Sequence, residues 1–360
     1  MKAFLILENG QVFEGQSFGS TRDAVFEMVF NTSMVGYLET MTDPSYAGQG
    51  LAMTYPLIGN CGVNKEDWES EKLWAEALIV KELSRFPSNF RAEGDLESLL
   101  IEWDIPGIEG IDTRMLTRII RDQGAMNGVL TCNEDFDLDE CIAKAKAYEV
   151  SGEVAKTGVQ QVTESAESGI KIAVLDLGLK KSLANALRNR GCALDLYPYH
   201  TPAETILVSK PQGIFITNGP GNPKECDKLI ATVKALCESG IPVFGIGLGH
   251  QLIALAMGGD TKRMKYGHHG SSNPVRDLAQ DRVSITSQNH VYEVAMDSFK
   301  DGIAKMTHVN VNDNSCEGIA YLGTVVSGIQ FHPVSSDGPT DTAFVFDSFL
   351  ASIKEGTQNA

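Results

Sequence analysis

No apolar run in this 360-residue chain approaches 18 residues, so no membrane-spanning helix is expected. The start, Met1-Lys-Ala-Phe-Leu-Ile-Leu-Glu8, carries too short an apolar stretch for a secretory signal. Positive charge is also scarce: 30 Lys and Arg stand against 47 Asp and Glu, for a formal charge of −17 and a pI near 4.8. That acidic excess argues against nucleic acid or an anionic membrane as partner. Paired Cys-x-x-Cys spacing is missing. The seven cysteines (Cys61, Cys132, Cys141, Cys192, Cys226, Cys237, Cys316) are scattered and odd in number, which suits free thiols in a reducing compartment better than a disulfide framework or a zinc site. A soluble, cytoplasmic protein without a metal or cofactor in this chain is the expectation.

At this length two domains are expected, with room for two cores. Residues 1–150 read as a β-rich domain. Ala3-Phe-Leu-Ile-Leu7 and Gln11-Val-Phe13 flank Asn9-Gly10, a hairpin turn signal, and residues 26–31 read as another strand. Beyond it Thr42-Asp-Pro-Ser-Tyr46 reads as a turn, with Ser45 beside its proline. Residues 70–103 show helical patches. The stretch 111–121 reads as a helix with Asp112 as N-cap and Met115, Leu116, Ile119 and Ile120 inward. Residues 151–170, polar and poor in large apolar side chains, read as a linker. From 171 the pattern alternates: strand 171–177, helix 180–190, strand 213–217, and later strands at 282–287 and 328–331 with a closing helix from about 341. Such alternation predicts an open, mainly parallel α/β sheet over 171–360, with ligands at the carboxyl ends of its strands.

The second half is organised around Pro242-Val-Phe-Gly-Ile-Gly-Leu-Gly-His-Gln251, which reads as a short buried strand, a tight turn at Gly247 and a helix over 248–257. Strand, sharp turn and helix is the geometry of a nucleophile elbow, in which one side chain sits beside the free N–H groups of a helix start. Here the apex residue is a glycine. Taken alone, the run of alternating glycines is equally an ordinary βα turn of the kind that binds phosphate.

The stretch resembles the Gly-x-Cys-x-Gly-x-Gln elbow of the class I glutamine amidotransferases, with Gly245, Gly249 and Gln251 in register and the nucleophilic cysteine replaced by Gly247. Asn218-Gly-Pro-Gly221, Ser287-Gln-Asn-His290 and Gln330-Phe-His-Pro333 follow the same family in order. The first 150 residues resemble the domain peculiar to the small subunit of carbamoyl-phosphate synthase, through Phe30-Asn-Thr-Ser-Met-Val-Gly-Tyr37, Thr42-Asp-Pro-Ser-Tyr46, Thr54-Tyr-Pro-Leu-Ile-Gly-Asn60 and Gly110-Ile-Asp-Thr-Arg114.

The resemblance implies glutamine hydrolysis by a thiolate, a histidine base and an orienting carboxylate. His332 falls at the base. Val334 stands where the family has the carboxylate, so two of three triad members are lost. Ser45, Gly219, Gly221, Leu248, Gln251, Asn289, Val291 and Tyr292 fall where the family holds L-glutamine; position 291 is usually glycine there. Cys226, just beyond the Asn-Gly-Pro-Gly turn, is off the elbow. His268-His269 reads as a solvated turn. The implied partner is a large subunit carrying ATP and Mg, which builds carbamoyl phosphate for the pyrimidine and arginine pathways. Either the chain is the glutaminase subunit, with its own hydrolysis impaired, or it is a non-catalytic partner of an ammonia-dependent large subunit. Service to another synthetase, such as those for GMP or anthranilate, is disfavoured by the first domain.

Overall fold

The computed structural model describes residues 1–334 and 338–358. It divides into two compact units: Met1–Val150 with Lys265–Gly270, and Ser151–Met264 with Ser271–Ala360.

In the first unit seven strands close into a barrel, in the order Lys2–Leu7, Val12–Gly19, Pro106–Glu109, Ala77–Ile79, Gln49–Met53, Ala24–Asn31, Met126–Thr131. Closure leaves the barrel's own strands without a free edge. Asn9-Gly10 makes the first hairpin, with Gly10 at φ +87° and Ile6 paired to Val12. The inward stripes of alternate strands supply one core, including Leu5, Phe26, Met28, Ile79 and Ile108. Helix Thr113–Gln123 starts at Asp112, whose carboxylate accepts from the Met115 N–H at 2.9 Å. It buries Leu116 and Ile120, while Met115, expected inward, is half exposed at the edge of that stripe.

Residues 70–103 depart from expectation. Only Leu96–Glu102 is helical; Ala77–Ile79 is a barrel strand with parallel neighbours on both sides, and Glu82–Leu83 pairs with Leu57–Ile58. A three-residue apolar run buried on both faces carries no period that separates strand from helix. His268 and His269 are not a solvated turn. Both are buried, the His269 Nε2 lies 3.2 Å from the Tyr266 carbonyl, and its ring packs edge-on to Phe30.

The second unit is built on a nine-stranded sheet, ordered Cys192–Pro198, Ile170–Asp176, Gly213–Ile216, Val243–Ile246, Val326–Ile329, Cys316–Tyr321, Ala304–Asn310, Asp260–Asp277, Arg282–Ala295. The first five are parallel, and the described pairings beyond them are antiparallel. Along Ile170–Asp176, Ala173 and Leu175 join one core and Ile172 and Val174 the other, as the two-residue period of a strand requires. Helices Asp227–Cys237 and Leu248–Ala256 cover the first face, and Lys181–Arg188 and Phe344–Gln358 the second. Phe346, Phe349, Leu350 and Ile353 face inward as expected.

The stretch 151–170 is not a free linker. Val154 is buried in the first of those cores, Asp176 accepts from the Val159 N–H at 2.9 Å, Asp195 accepts from the Ser165 N–H at 2.9 Å, and Thr163 bridges Leu196. It packs along the sheet edge because the buried carboxylates Asp176 and Asp195 draw its N–H groups.

The chain runs from the second strand of the order to the edge strand and then crosses to the third. Strand order therefore reverses beside Ile170–Asp176, and a crevice opens beyond the carboxyl ends of the parallel strands.

Candidate functional site

Gly247 lies at the end of strand Val243–Ile246 and caps helix Leu248–Ala256 with φ +57° and ψ −114°, a conformation side chains rarely adopt. The three elbow glycines are not equivalent. A β-carbon on Gly245 would stand 2.6 Å from Ile253 Cδ1 and 2.7 Å from the Gly249 carbonyl carbon, and one on Gly249 would stand 2.3 Å from the Ile216 oxygen. Those two positions let the helix rest directly on the strands. A β-carbon on Gly247 would meet nothing nearer than Asn218 Cβ at 3.5 Å and Asn218 Cα at 3.6 Å, which is ordinary contact. Position 247 has the elbow backbone and space for a side chain. The turn is held by the Gly247 N–H on the Ile329 carbonyl at 3.0 Å and the Gly249 N–H on the Thr217 carbonyl at 3.1 Å.

Two neighbouring strand ends are tied to this turn. Thr217 Oγ1 accepts from the Leu177 N–H at 2.9 Å, and the Asn218 amide donates to the Gly178 carbonyl at 2.8 Å. Gly219 is constrained: a β-carbon there would be 2.7 Å from the Leu177 oxygen and 3.0 Å from Leu248 Cδ2. Gly221 has φ +90°. A backbone bare of side chains at 219 and 221 can approach a ligand closely.

His332 follows strand Val326–Ile329, is buried, and donates its backbone N–H to the Ser287 carbonyl at 2.9 Å. Its Nδ1 lies 3.5 Å from Nζ of Lys180, itself only 3% exposed. Lys180 was not singled out from the sequence, where it merges into the start of a helix. An ammonium can only donate, whereas the orienting member of a triad accepts from the imidazole. Val334 is partly buried against the apolar cluster around Phe331 and Phe346.

Gln251 is buried, and its amide donates to both the Tyr292 carbonyl at 2.8 Å and Gln330 Oε1 at 2.9 Å, joining the elbow helix to two strand segments. The Tyr292 carbonyl also faces His290 Nδ1 at 2.8 Å. Asn289 and Tyr292 are half-buried and Val291 is buried in strand Arg282–Ala295. Ser45 belongs to the first unit, in a 3₁₀ turn over Pro44–Tyr46 where its N–H donates to Asp43 at 2.9 Å. Burial pushes the Cys226 thiol up to about 11, which disfavours a thiolate near neutrality. All seven cysteines are free.

An elbow at the carboxyl end of a parallel sheet, flanked by glycine turns and a buried histidine, is the framework of a class I glutamine amidotransferase domain. Residues 173–352 match the family described as "Glutamine amidotransferase class-I", and residues 5–130 match "Carbamoyl-phosphate synthase small chain, CPSase domain". The chain is 42% identical over 350 residues to the carbamoyl phosphate synthase small chain of Fusobacterium nucleatum, covering 97% of each. It is 44% identical over 354 residues to that of Oceanobacillus iheyensis, covering 98% of this chain and 96% of the relative. Against the pyrimidine-specific small chain of Bacillus subtilis it is 42% identical over 355 residues, at the same two coverages. The chain belongs to the carbamoyl-phosphate synthase small-chain family. Among the described residues no helix is long and apolar enough to cross a membrane.

Proposed function

We propose that this chain is the small subunit of a carbamoyl-phosphate synthase that binds L-glutamine in the crevice at Gly247 but hydrolyses it poorly, so that its large subunit draws mainly on free ammonium. The observation that carries the reading is the inequality of the elbow glycines: the backbone and space for a nucleophile are present and the nucleophile is not. Without a thiol no thioester forms, and hydrolysis is limited to water attack near His332, assisted by the N–H groups at the helix start. Val334 offers no carboxylate to orient the imidazole. Lys180, a donor, has the wrong polarity for that task.

Gly219, Gly221 and Leu248 would present backbone groups to the ligand. Gln251 would offer its carbonyl, since both its N–H groups are engaged, while Asn289 and Tyr292 would supply polar side chains. Val291 narrows the cradle relative to a glycine. ATP and Mg belong to the large subunit, and carbamoyl phosphate would serve pyrimidine and arginine synthesis, the first being named for the Bacillus subtilis relative. The test is carbamoyl phosphate synthesis by the purified complex with glutamine or ammonium as nitrogen source. Ammonium is expected to support turnover and glutamine to give near-background rates; robust glutamine-dependent turnover, free of contaminating glutaminase, overturns the impaired-hydrolysis reading. A non-catalytic, stabilising role is favoured over impaired hydrolysis if glutamine neither binds nor alters the ammonium-dependent rate.

A further inference from the structure

Strand Arg282–Ala295 carries a chain of hydrogen bonds that starts and ends on backbone carbonyls, which can only accept. Thr286 Oγ1 lies 2.9 Å from the Asn273 carbonyl, so its one hydroxyl proton is committed there and the Thr286 oxygen is left to accept. Gln288 Nε2, at 3.1 Å, supplies that bond, which fixes the Gln288 amide with its Oε1 towards His290. His290 Nε2 is 2.8 Å from this oxygen, and His290 Nδ1 is 2.8 Å from the Tyr292 carbonyl. Both ring nitrogens therefore face acceptors. A neutral imidazole has one donor and one acceptor nitrogen and would oppose two lone pairs at 2.8 Å at one end of the ring, whereas an imidazolium donates at both. His290 is buried, and a buried cation needs a counter-charge. Glu317, fully buried on strand Cys316–Tyr321, has a carboxylate oxygen within 4.8 Å of a ring nitrogen of His290 and accepts from the Asn310 amide at 3.2 Å.

The charge bears on the ligand cradle through one atom. The Tyr292 carbonyl accepts from His290 Nδ1 and from Gln251 Nε2, each at 2.8 Å, which uses both of its lone pairs. Gln251 gives its other N–H to Gln330 Oε1 at 2.9 Å, so only its carbonyl oxygen is left for a ligand. A hydrogen bond from a cation is shorter and about twice as strong as a neutral one. The second proton on His290 thus sets how firmly the Tyr292 carbonyl is held for Gln251.

We propose that His290 is held as an imidazolium and is a positioning residue of the L-glutamine cradle: it locks the Tyr292 carbonyl that orients Gln251, so that the cradle presents an acceptor and selects a ligand group that donates, an α-ammonium or a carboxamide N–H. The proposal rests on the glutamine-binding reading above. With both nitrogens protonated, His290 has no lone pair to give a metal ion.

The experiment takes the full chain with ¹⁵N-labelled histidine to nuclear magnetic resonance at about pH 7.5, a unit above the ordinary histidine value near 6.5. Of the seven histidine rings, one should show both nitrogens protonated, and that signal should vanish in His290→Leu. No doubly protonated ring in the wild type overturns the proposal without any variant having to fold. In calorimetry with L-glutamine, His290→Leu should weaken binding roughly tenfold or more, as for loss of a hydrogen bond from a charged group. Gln288→Met, which removes only the acceptor at Nε2, should turn the ring neutral and weaken binding severalfold. In a Gln251→Met background His290→Leu should add less than about twofold, because it acts through Gln251. Equal losses in both backgrounds, or undiminished binding by the single variants, overturn the positioning role. Glutamine binding by a wild type with no doubly protonated ring overturns this proposal alone, whereas a wild type that shows the ring and binds no L-glutamine overturns the glutamine reading and the positioning role with it.

Discussion

Gly247→Cys places one side chain where the elbow has space. The nearest heavy atoms to the new β-carbon, at 3.5, 3.6 and 3.9 Å, are in ordinary contact, so no packing cost is expected. The remaining cost is backbone: a non-glycine residue at φ +57°, ψ −114° is strained by roughly 1–3 kcal/mol. For a unit of about this size each kcal/mol lowers the melting temperature by about 2–4 °C, giving a fall of roughly 2–12 °C. The thiol would sit at the start of helix Leu248–Ala256, where N–H groups favour the thiolate. In subtilisin, loss of the nucleophile costs about 2 × 10⁶ in kcat and loss of the orienting carboxylate alone about 3 × 10⁴. By that ratio, restoring the thiol without a carboxylate should raise glutaminase activity by roughly 10²-fold. Val334→Glu alone should add nothing to catalysis and should cost about 1 kcal/mol, because Val334 is partly buried in an apolar cluster. The double variant should exceed the product of the single gains, since the triad acts as a unit. The assays are glutamate release and mass spectrometry of the enzyme after exposure to a chloroketone analogue of glutamine. A folded Gly247→Cys protein whose new thiol is not alkylated by that analogue, while other cysteines react normally with a small reagent, would refute the elbow reading. A melting temperature lowered by more than about 20 °C would refute the estimate of space.

The neighbouring glycines behave oppositely: Gly249→Ala drives a β-carbon to 2.3 Å from a backbone oxygen, so it should destabilise by about 3 kcal/mol or more in denaturant titration, whereas Gly247→Ala should cost only its strain. His250, fully buried with both ring nitrogens unpartnered, has its pKa driven by burial from 6.5 down to about 3, with His308 nearby adding to the fall. The folded state keeps it neutral while the unfolded state takes up the proton below about 6.5. Stability should therefore decline from pH 6.5 toward 4.5 by up to about 1.4 kcal/mol per pH unit, and His250→Gln should flatten that slope in part, since burial lowers His308 as well. Limited proteolysis should cut first within 160–169, the mostly exposed end of the 151–170 stretch, leaving a C-terminal fragment that keeps its sheet; first cuts inside 171–334 would contradict this.

What was legible in the sequence was what depends on neighbours along the chain. The Asn9-Gly10 hairpin, the Asp112 cap and the strand–turn–helix at Gly247 each follow from residues within a few positions, and each stands where it was expected. What was not legible depends on distant partners. Ala77–Ile79 became a strand because Gln49–Met53 and Pro106–Glu109 flank it, and His269 is inside against Phe30, which also packs on Tyr266. Lys180 reaches His332 across 152 residues of chain, and neither residue announces the other.

The elbow shows the same division within five residues. From sequence, Gly245, Gly247 and Gly249 are three equal letters, readable as a phosphate-binding turn or as an elbow that lost its nucleophile. Only the distances separate them: 2.6 and 2.3 Å make two of the glycines necessary for the helix to lie on its strands, and 3.5 Å leaves the third without a steric reason to be glycine. A turn shaped only to cradle phosphate through bare backbone gives no ground for one apex position with space for a side chain. The apex dihedral favours glycine at position 247, and any side chain placed there would carry the conformational strain. A thiol introduced at residue 247 is therefore expected to carry a stability cost that a thermal melt can read alongside the activity.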